Sequence, residues 1–387
     1  MRLAKRMERL GTESAFEVLA KAKALEAQGK EVVHLQIGEP DFDTPANITE
    51  AAIKALKEGK THYGPSAGLP AFRKVIAEYI SETRKIEVKP EEVVVTPGGK
   101  PVIYFALTLL VQEGDEVIYP NPGYPIYESV INFSGAKAIP LPLLEKKNFR
   151  FEIEDLKNLI TPRTKAIVIN SPQNPTGGLF EPEDLKAIAD ICIKNDIYIF
   201  ADEIYSRIIY GGEHHSILSV PGVKDRTIMM DGFSKTYAMT GWRLGYGIMP
   251  VKVADQMARL MTNVNSCTAT FTQIAGMEGL TGDQTEVENM VKEFGKRRDI
   301  IVDGMNSIDG FRCNKPKGAF YVFPNIEGTG MRSKELADYL LEEGGVAGLS
   351  GAAFGKYGEG FLRFSYANSV KNIEKAIDMI KAALKKR

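Results

Sequence analysis

Lys165-Ala-Ile-Val-Ile-Asn170 is an apolar run without polar alternation, and it leads directly into Ser171-Pro-Gln-Asn-Pro-Thr-Gly-Gly178. A strand that is apolar on both sides reads as a parallel strand covered on both faces. A helical stretch, Pro182 to Lys194, follows, then a second apolar strand, Ile197 to Ala201, and then Asp202-Glu-Ile-Tyr205. Strands alternating with helices indicate a doubly wound α/β sheet. Ligands of such sheets sit beyond the carboxyl ends of the strands, which is where Asn174, Asp202 and Tyr205 fall.

Downstream, Arg226 to Met230 and Leu244 to Met249 are two more strand-length apolar runs, the second closed by Pro250. Between them lies Asp231-Gly-Phe-Ser-Lys-Thr-Tyr-Ala-Met-Thr-Gly-Trp-Arg-Leu-Gly-Tyr246, a polar, glycine-bearing loop. Lys235 is flanked by Ser234 and Thr236, with Gly241 and Arg243 close behind, a set suited to an anionic cofactor held beside an amine nucleophile. A free lysine, with a reference pKa of about 10.4, attacks carbonyls only where its surroundings favour the neutral form. On this loop alone Lys235 reads either as that nucleophile or as a solvated lysine.

Upstream, Ser14 to Gln28 has the periodicity of an amphipathic helix stopped by Gly29. Glu31 to Ile37 reads as a strand ending in Gly38-Glu-Pro-Asp-Phe42, where Gly38 is a turn or a close approach of backbone to ligand. Thr44-Pro45 reads as a helix start with a capping hydroxyl. Thr61 to Pro70 is too rich in Gly and Pro for regular structure, and Tyr63 is its aromatic group. Glu92 to Thr96, Pro97-Gly-Gly-Lys100 and a helix through Val111 make a strand, a glycine turn and a helix start. That arrangement offers backbone N–H groups and the positive end of the helix dipole to an anion; no G-x-G-x-x-G is present, so it is not a dinucleotide fingerprint. Asp115 to Tyr119 is a strand ending in Pro120-Asn-Pro-Gly-Tyr-Pro-Ile-Tyr127, in which Tyr124 is either structural or a stacking face for a flat ring.

Toward the C-terminus, Pro250 to Met261, Phe271 to Leu280 and Thr285 to Asn306 have helical patterns, the last long, charged and suited to bridging two domains. Gly318 to Phe323 and Phe361 to Tyr366 are strand-like, with Arg363 set between aromatics, and Lys371 to Leu384 is a closing helix.

Ser234-Lys-Thr-Tyr-Ala-Met-Thr-Gly-Trp-Arg243 resembles the lysine loop of pyridoxal-phosphate enzymes of fold type I, specifically class I aminotransferases. The likeness extends through separated motifs, in the family's order, from about Leu35 to Ala367. It implies an α/β fold: a large domain with a mainly parallel sheet and helices on both faces, plus a smaller α+β domain. The expected limits are 41–284 for the large cofactor-binding domain, 285–387 for the small one, and 1–40 for an N-terminal segment contributing to the small domain.

The resemblance also implies pyridoxal 5'-phosphate, an electron sink for the α-carbanion of an amino acid. Lys235 is then the lysine that carries the cofactor and, once released, the general base. Asp202 matches the carboxylate that keeps the ring nitrogen protonated, and Tyr205 and Asn174 match the groups that bond the phenolic oxygen. Tyr124 matches the stacking aromatic. Gly98, Gly99, Lys100, Ser234, Arg243 and Tyr63 match the phosphate site, Tyr63 reaching in from the neighbouring subunit of a homodimer. Arg363 matches the planar clamp of the substrate α-carboxylate, completed by Asn174 and the backbone of Gly38. Without the resemblance, Asp202 also reads as a cap or surface aspartate, Arg363 as a strand arginine in a surface ion pair, and Tyr63 as a loop tyrosine.

The implied reaction moves the amino group of an L-amino acid to a 2-oxo acid, expected to be 2-oxoglutarate, in a ping-pong cycle. The nearest pattern is the bacterial and archaeal aspartate aminotransferases, in some of which the lysine matching Lys100 binds the distal carboxylate. Phe16 replaces a small polar residue of some aspartate-specific members, and Asn265 to Phe271 lacks a proline often found in that loop. Aromatic or other amino donors, or a C–S β-lyase on the same fold, are therefore the alternatives.

The chain has 387 residues, 44% hydrophobic and 26% charged, with a formal charge of −1. That length favours two domains, and that charge asks for neither a nucleic acid nor a membrane. No basic helix-turn-helix precedes residue 30, as a DNA-binding regulator would need. No apolar run nears the ~18 residues of a spanning helix, and the basic start lacks the apolar core of a secretory signal, so a cytoplasmic location is expected. Cys192, Cys267 and Cys313 read as free thiols. No metal spacing is present, and His214-His215 reads as a surface pair.

Overall fold

The computed structural model describes residues 3–386. Met1 and Arg2 of the expected N-terminal segment and Arg387 of the expected C-terminal domain lie outside the described residues. Twelve strands are described: β1 (Val33–His34), β2 (Val93–Thr96), β3 (Glu116–Asn121), β4 (Lys137–Pro142), β5 (Thr164–Asn170), β6 (Tyr198–Asp202), β7 (Thr227–Gly232), β8 (Gly245–Ile248), β9 (Tyr321–Val322), β10 (Val346–Ala347), β11 (Leu349–Ser350) and β12 (Leu362–Ser365). Seven form the main sheet in the order β2-β8-β7-β6-β5-β3-β4. Its pairs are parallel except those of β8, which is antiparallel to both neighbours because the lysine loop brings the chain straight back beside β7.

Both faces of this sheet are apolar, and the alternation of side chains divides one strand between two cores. Ile167 and Ile169 of β5 join the cluster that includes helices Pro70–Arg84 and Pro182–Asn195, while Ala166 and Val168 join the cluster with helices Lys100–Leu110 and Val251–Val264. In β6, Ile199 and Ala201 face the first cluster and Phe200 the second. Fully burying such side chains contributes about 1.5–3 kcal/mol each, which is why these strands carry no polar alternation. The carboxyl ends of β3, β5, β6 and β7 carry Asn121, Asn170, Asp202 and Gly232.

A smaller domain is built on a third cluster, formed by Val33, Leu35, Phe320, Val322, Leu362, Phe364 and the helix Val370–Lys385. Its sheets are short: β11-β12-β9, antiparallel, and the parallel pair β1-β10. Helix Thr285–Asn306 begins with Val287 in the large cluster and continues with Met290, Phe294, Ile301 and Met305 in the small one. Among the described residues, no helix is long and apolar enough to cross a membrane.

Several expected elements differ in the structure. The strand expected over Glu31 to Ile37 pairs only at Val33–His34, because its partner β10 is equally short. The strand expected over Gly318 to Phe323 forms a ladder at Tyr321–Val322, with an isolated antiparallel bridge from Gly318 to Ile209. Thr44 does not cap helix Ala46–Lys57; its hydroxyl donates to the Ala238 carbonyl (2.8 Å) and accepts from Trp242 Nε1 (2.9 Å), tying the helix start to the lysine loop.

Candidate active site

The turn Pro97–Gly99 is pressed against the lysine loop. Gly98 has φ +89°, and a Cβ there would lie 2.2 Å from Arg243 Nη2; a Cβ on Gly99 would lie 2.7 Å from Met230 Sδ. Gly245, which opens β8, meets the same turn, its Cβ position being 2.6 Å from the Gly98 carbonyl carbon. Side chains at these three positions would separate the loop from the turn. Gly99 is the N-cap of helix Lys100–Leu110 and supplies no side-chain cap; Val102 and Ile103 donate to its carbonyl and Pro101 has no N–H, so the Gly99 and Lys100 N–H groups are those left for another acceptor. Ser234, Arg243, Gly99 and Lys100 line one cavity of ≈350 Å³.

Opposite, the end of β6 places Asp202, 4% exposed, in the same cavity. Its Oδ2 accepts from the Tyr127 hydroxyl (2.5 Å) and its Oδ1 from the Ile204 N–H (3.1 Å). Burial pushes this carboxyl up to about 6, against the lowering effect of those hydrogen bonds. No cation lies within ion-pair distance of it among the described residues. The cavity therefore presents an unpaired buried carboxylate, a group that a protonated ring nitrogen would complete.

Lys235 donates to the Gly38 carbonyl at 2.6 Å. Burial lowers its amine to about 8; Glu39 opposes the shift and Arg363 reinforces it. Gly38 is held here by contact, since a Cβ on it would lie 2.1 Å from the Tyr321 hydroxyl. That hydroxyl shares a 2.7 Å hydrogen bond with Tyr205, and the Tyr321 ring lies 4.5 Å from the Arg363 guanidinium carbon. Arg363, 4% exposed, donates from Nη2 to the Gln36 carbonyl (2.5 Å) and from Nη1 to Asn174 Oδ1 (3.1 Å), while its buried Nε has no partner. A buried guanidinium with an unused donor is poised for an oxyanion.

Gly38, Gly99, Lys100, Tyr124, Asn174, Asp202, Tyr205, Ser234, Lys235, Arg243 and Arg363 thus line a single cavity, with Gly98 packed behind Arg243. Tyr63 is not among its lining residues and is 89% exposed. The unpaired carboxylate, the lowered amine and the helix N-terminus fit the ring nitrogen, the aldehyde and the phosphate of pyridoxal phosphate, and Arg363 is left for a substrate. Residues that the sequence reading missed complete the site: Tyr127 holds Asp202, Tyr321 holds Tyr205, Gln36 holds Arg363, and Glu13 binds Lys100 and Tyr124. Tyr127 and Tyr321 lay inside quoted motifs, at the ends of Pro120–Tyr127 and within Gly318–Phe323; Glu13 carried no local signal.

Behind Asp202 and the lysine loop, Arg84 donates to Glu203 Oε2 (2.9 Å) and Asp231 Oδ2 (3.2 Å), all three buried. His214 joins this cluster, 3.8 Å from Glu203, and bonds the Ser171 carbonyl at 3.1 Å with its side chain only 8% exposed. The expectation of a surface pair is thus corrected for His214: the neighbouring carboxylate and carbonyl draw it inward. Cys192, Cys267 and Cys313 are free, as expected.

Residues 30–380 match the family described as aminotransferase class I and II. The chain is 41% identical over 362 residues to the aspartate aminotransferase of Pyrococcus abyssi, covering 92% of this chain and 93% of that one. It is 38% identical over 366 residues to aromatic-amino-acid aminotransferase 2 of Thermococcus litoralis, covering 93% and 94%. The solved structure of Thermus thermophilus aspartate aminotransferase with maleate superposes with a TM-score of 0.95 at 36% identity, over 99% of this chain and 100% of that one.

Proposed function

The chain belongs to the class I and II aminotransferases, enzymes that use pyridoxal phosphate, and on that premise we propose that it transfers the amino group of L-aspartate to 2-oxoglutarate. Pyridoxal phosphate, when bound, supplies the electron sink that lets the α-proton of an amino acid leave. In this reading Lys235 carries the cofactor and, once freed, moves that proton, its amine lowered far enough to be partly neutral near physiological pH. Asp202, oriented by Tyr127, keeps a proton on the ring nitrogen. Arg363 lines the cavity and takes the substrate α-carboxylate, held in place by Gln36 and Asn174. Ser234, Arg243, Gly98, Gly99 and the start of helix Lys100–Leu110 hold the phosphate, Tyr124 covers the ring, and Tyr205 and Asn174 bond its phenolic oxygen. The observation that carries the reading is that Lys235, Asp202 and Arg363, from three distant parts of the chain, converge on one cavity.

The same proposal includes the limits 41–284 and 285–387, with 1–40 joining the small domain; Val33, Leu35 and most of the small cluster support it, while Tyr205 and Ile208 join that cluster and Val287, Phe323, Leu349 and Phe354 pack in the large one. It also includes a homodimer in which Tyr63 serves the neighbouring site, supported by its exposure. A second reading, an aromatic or other uncharged donor, is favoured by Phe16, 64% exposed yet lining the cavity, and by the engagement of Lys100. The names of the relatives support both readings. The test adds aspartate, phenylalanine or alanine singly to holoenzyme without any oxo acid and follows the cofactor absorbance. Conversion by aspartate at the lowest concentration supports the first reading, preference for phenylalanine the second. A spectrum that no donor changes overturns the transferase reading.

A further inference from the structure

We propose that Glu13 is a specificity-determining residue of this site, a displaceable carboxylate that neutralises Lys100, admits uncharged side chains directly and must be pushed aside by each dicarboxylic substrate. The proposal rests on the aminotransferase reading above. Glu13 is the N-cap of helix Ser14–Ala27 but makes no capping hydrogen bond. Its side chain turns into the cavity instead, where Oε1 is ion-paired with Lys100 Nζ and accepts from the Tyr124 hydroxyl at 2.7 Å. Its charge reaches both Lys235 and Arg363, raising each against the larger lowering effect of burial. The carboxylate thus shares the volume in which substrate is held.

The charges decide what this volume accepts. Four cations line the cavity: Lys100, Lys235, Arg243 and Arg363. In the proposed mechanism Lys235 and Arg243 serve the cofactor and Arg363 the α-carboxylate. Lys100 is left for a second carboxylate, and Glu13 already occupies it. A distal carboxylate therefore meets a neutral pair and a like charge, whereas an uncharged side chain meets no penalty.

The segment bearing Glu13 is weakly held. The turn of helix Lys5–Arg9 buries no residue, and Ala22 is the buried residue of helix Ser14–Ala27. Ahead of Glu13 the segment is tied to the body by a reciprocal pair, the Gly11 N–H to Ser129 Oγ (2.9 Å) and the Ser129 hydroxyl to the Gly11 carbonyl (3.2 Å); behind it, Ala15 and Val18 pack partly buried on the large core, Lys21 pairs with Asp338 (3.6 Å) and Glu26 with His34 (2.9 Å). The Glu13 side chain can leave Lys100 without unpacking a fully buried residue of its own helix, whose buried residue is Ala22. A ping-pong enzyme must pass two substrates through one site; a movable counter-ion yields to both aspartate and 2-oxoglutarate, and under the second reading it lets the site take 2-oxoglutarate and an uncharged donor in turn.

Glu13→Gln keeps the oxygen that Lys100 and Tyr124 use and removes the charge. Holoenzyme, wild type and variant, is titrated calorimetrically with two unreactive acids, maleate and 3-phenylpropanoate. The expected result is about threefold to fivefold tighter maleate binding by the variant, the scale of one displaced partly exposed ion pair, with 3-phenylpropanoate changed by less than about 1.5-fold. Maleate binding that is unchanged or weakened, or both acids shifting alike, overturns the role of Glu13 and leaves the aminotransferase reading intact. Failure of either protein to bind maleate overturns it too, and also removes Lys100 as a carboxylate site and with it the aspartate reading.

Discussion

The lysine at the centre of the site has a cost that can be measured without any cofactor. Burial lowers the Lys235 amine from an ordinary 10.5 to about 8. Between those values the folded protein has released the proton while the unfolded chain still holds it. Stability of the cofactor-free protein therefore rises with pH across this window, and the penalty is fully present below pH 8. At about 1.4 kcal/mol for each tenfold change in proton affinity, the full penalty is about 3 kcal/mol; partial exposure of the side chain reduces it to about 2 kcal/mol. Lys235→Met abolishes it. The variant also loses the hydrogen bond to the Gly38 carbonyl; the part of that loss common to both protonation states cancels when two pH values are compared. Urea unfolding of wild type and variant at pH 7.5 and pH 10 is the assay. The stability of the variant relative to wild type should be about 2 kcal/mol more favourable at pH 7.5 than at pH 10. Parallel pH dependences in the two proteins would refute the claim that this amine is held in a disfavoured charged state.

Arg84→Met leaves Glu203 and Asp231 buried without their cation and should cost about 3–5 kcal/mol in urea unfolding. The loss should be smaller at pH 6 than at pH 8, because Asp231, already pushed up to about 7 by burial, accepts a proton there. Gly98→Ala introduces a Cβ 2.2 Å from Arg243 Nη2 at a φ of +89°; equilibrium dialysis should show pyridoxal phosphate bound at least about tenfold more weakly, a cost of about 1.4 kcal/mol or more, with circular dichroism unchanged. Arg363→Lys replaces the whole planar guanidinium, whose Nη groups bond Gln36 and Asn174, by a single ammonium. The KM for the amino donor should rise by roughly 30- to 100-fold, about 2–3 kcal/mol, while the affinity for pyridoxal phosphate stays within about twofold.

The parts of the fold most legible in the sequence were those whose burial is local and complete. The strands ending at Asn170 and Asp202 are apolar on both faces because helices cover both, and helix Thr285–Asn306 was read to its ends. Strands whose length depends on a remote partner were not legible: β1 stops after His34 because β10, more than 300 residues away, offers only two residues. The site divides in the same way. Glycines and the lysine sit in motifs that stand out in the sequence, so Gly98, Gly99, Lys235 and Asp202 were legible as candidates, and the fold brings them to or behind one cavity. Glu13 was not, because its role comes from the start of a helix at Lys100 meeting it across the cavity. His214 and Thr44 show the same limit, since each bonds a carbonyl that the fold brings from elsewhere, Ser171 and Ala238.

The central claim is that Lys235 is the amine that holds pyridoxal phosphate. The direct measurement is borohydride reduction of the loaded protein followed by digestion and peptide mass mapping. The account predicts a phosphopyridoxyl group on Lys235 and on no other lysine; a label on Lys100 or elsewhere, or no label at all, would contradict it.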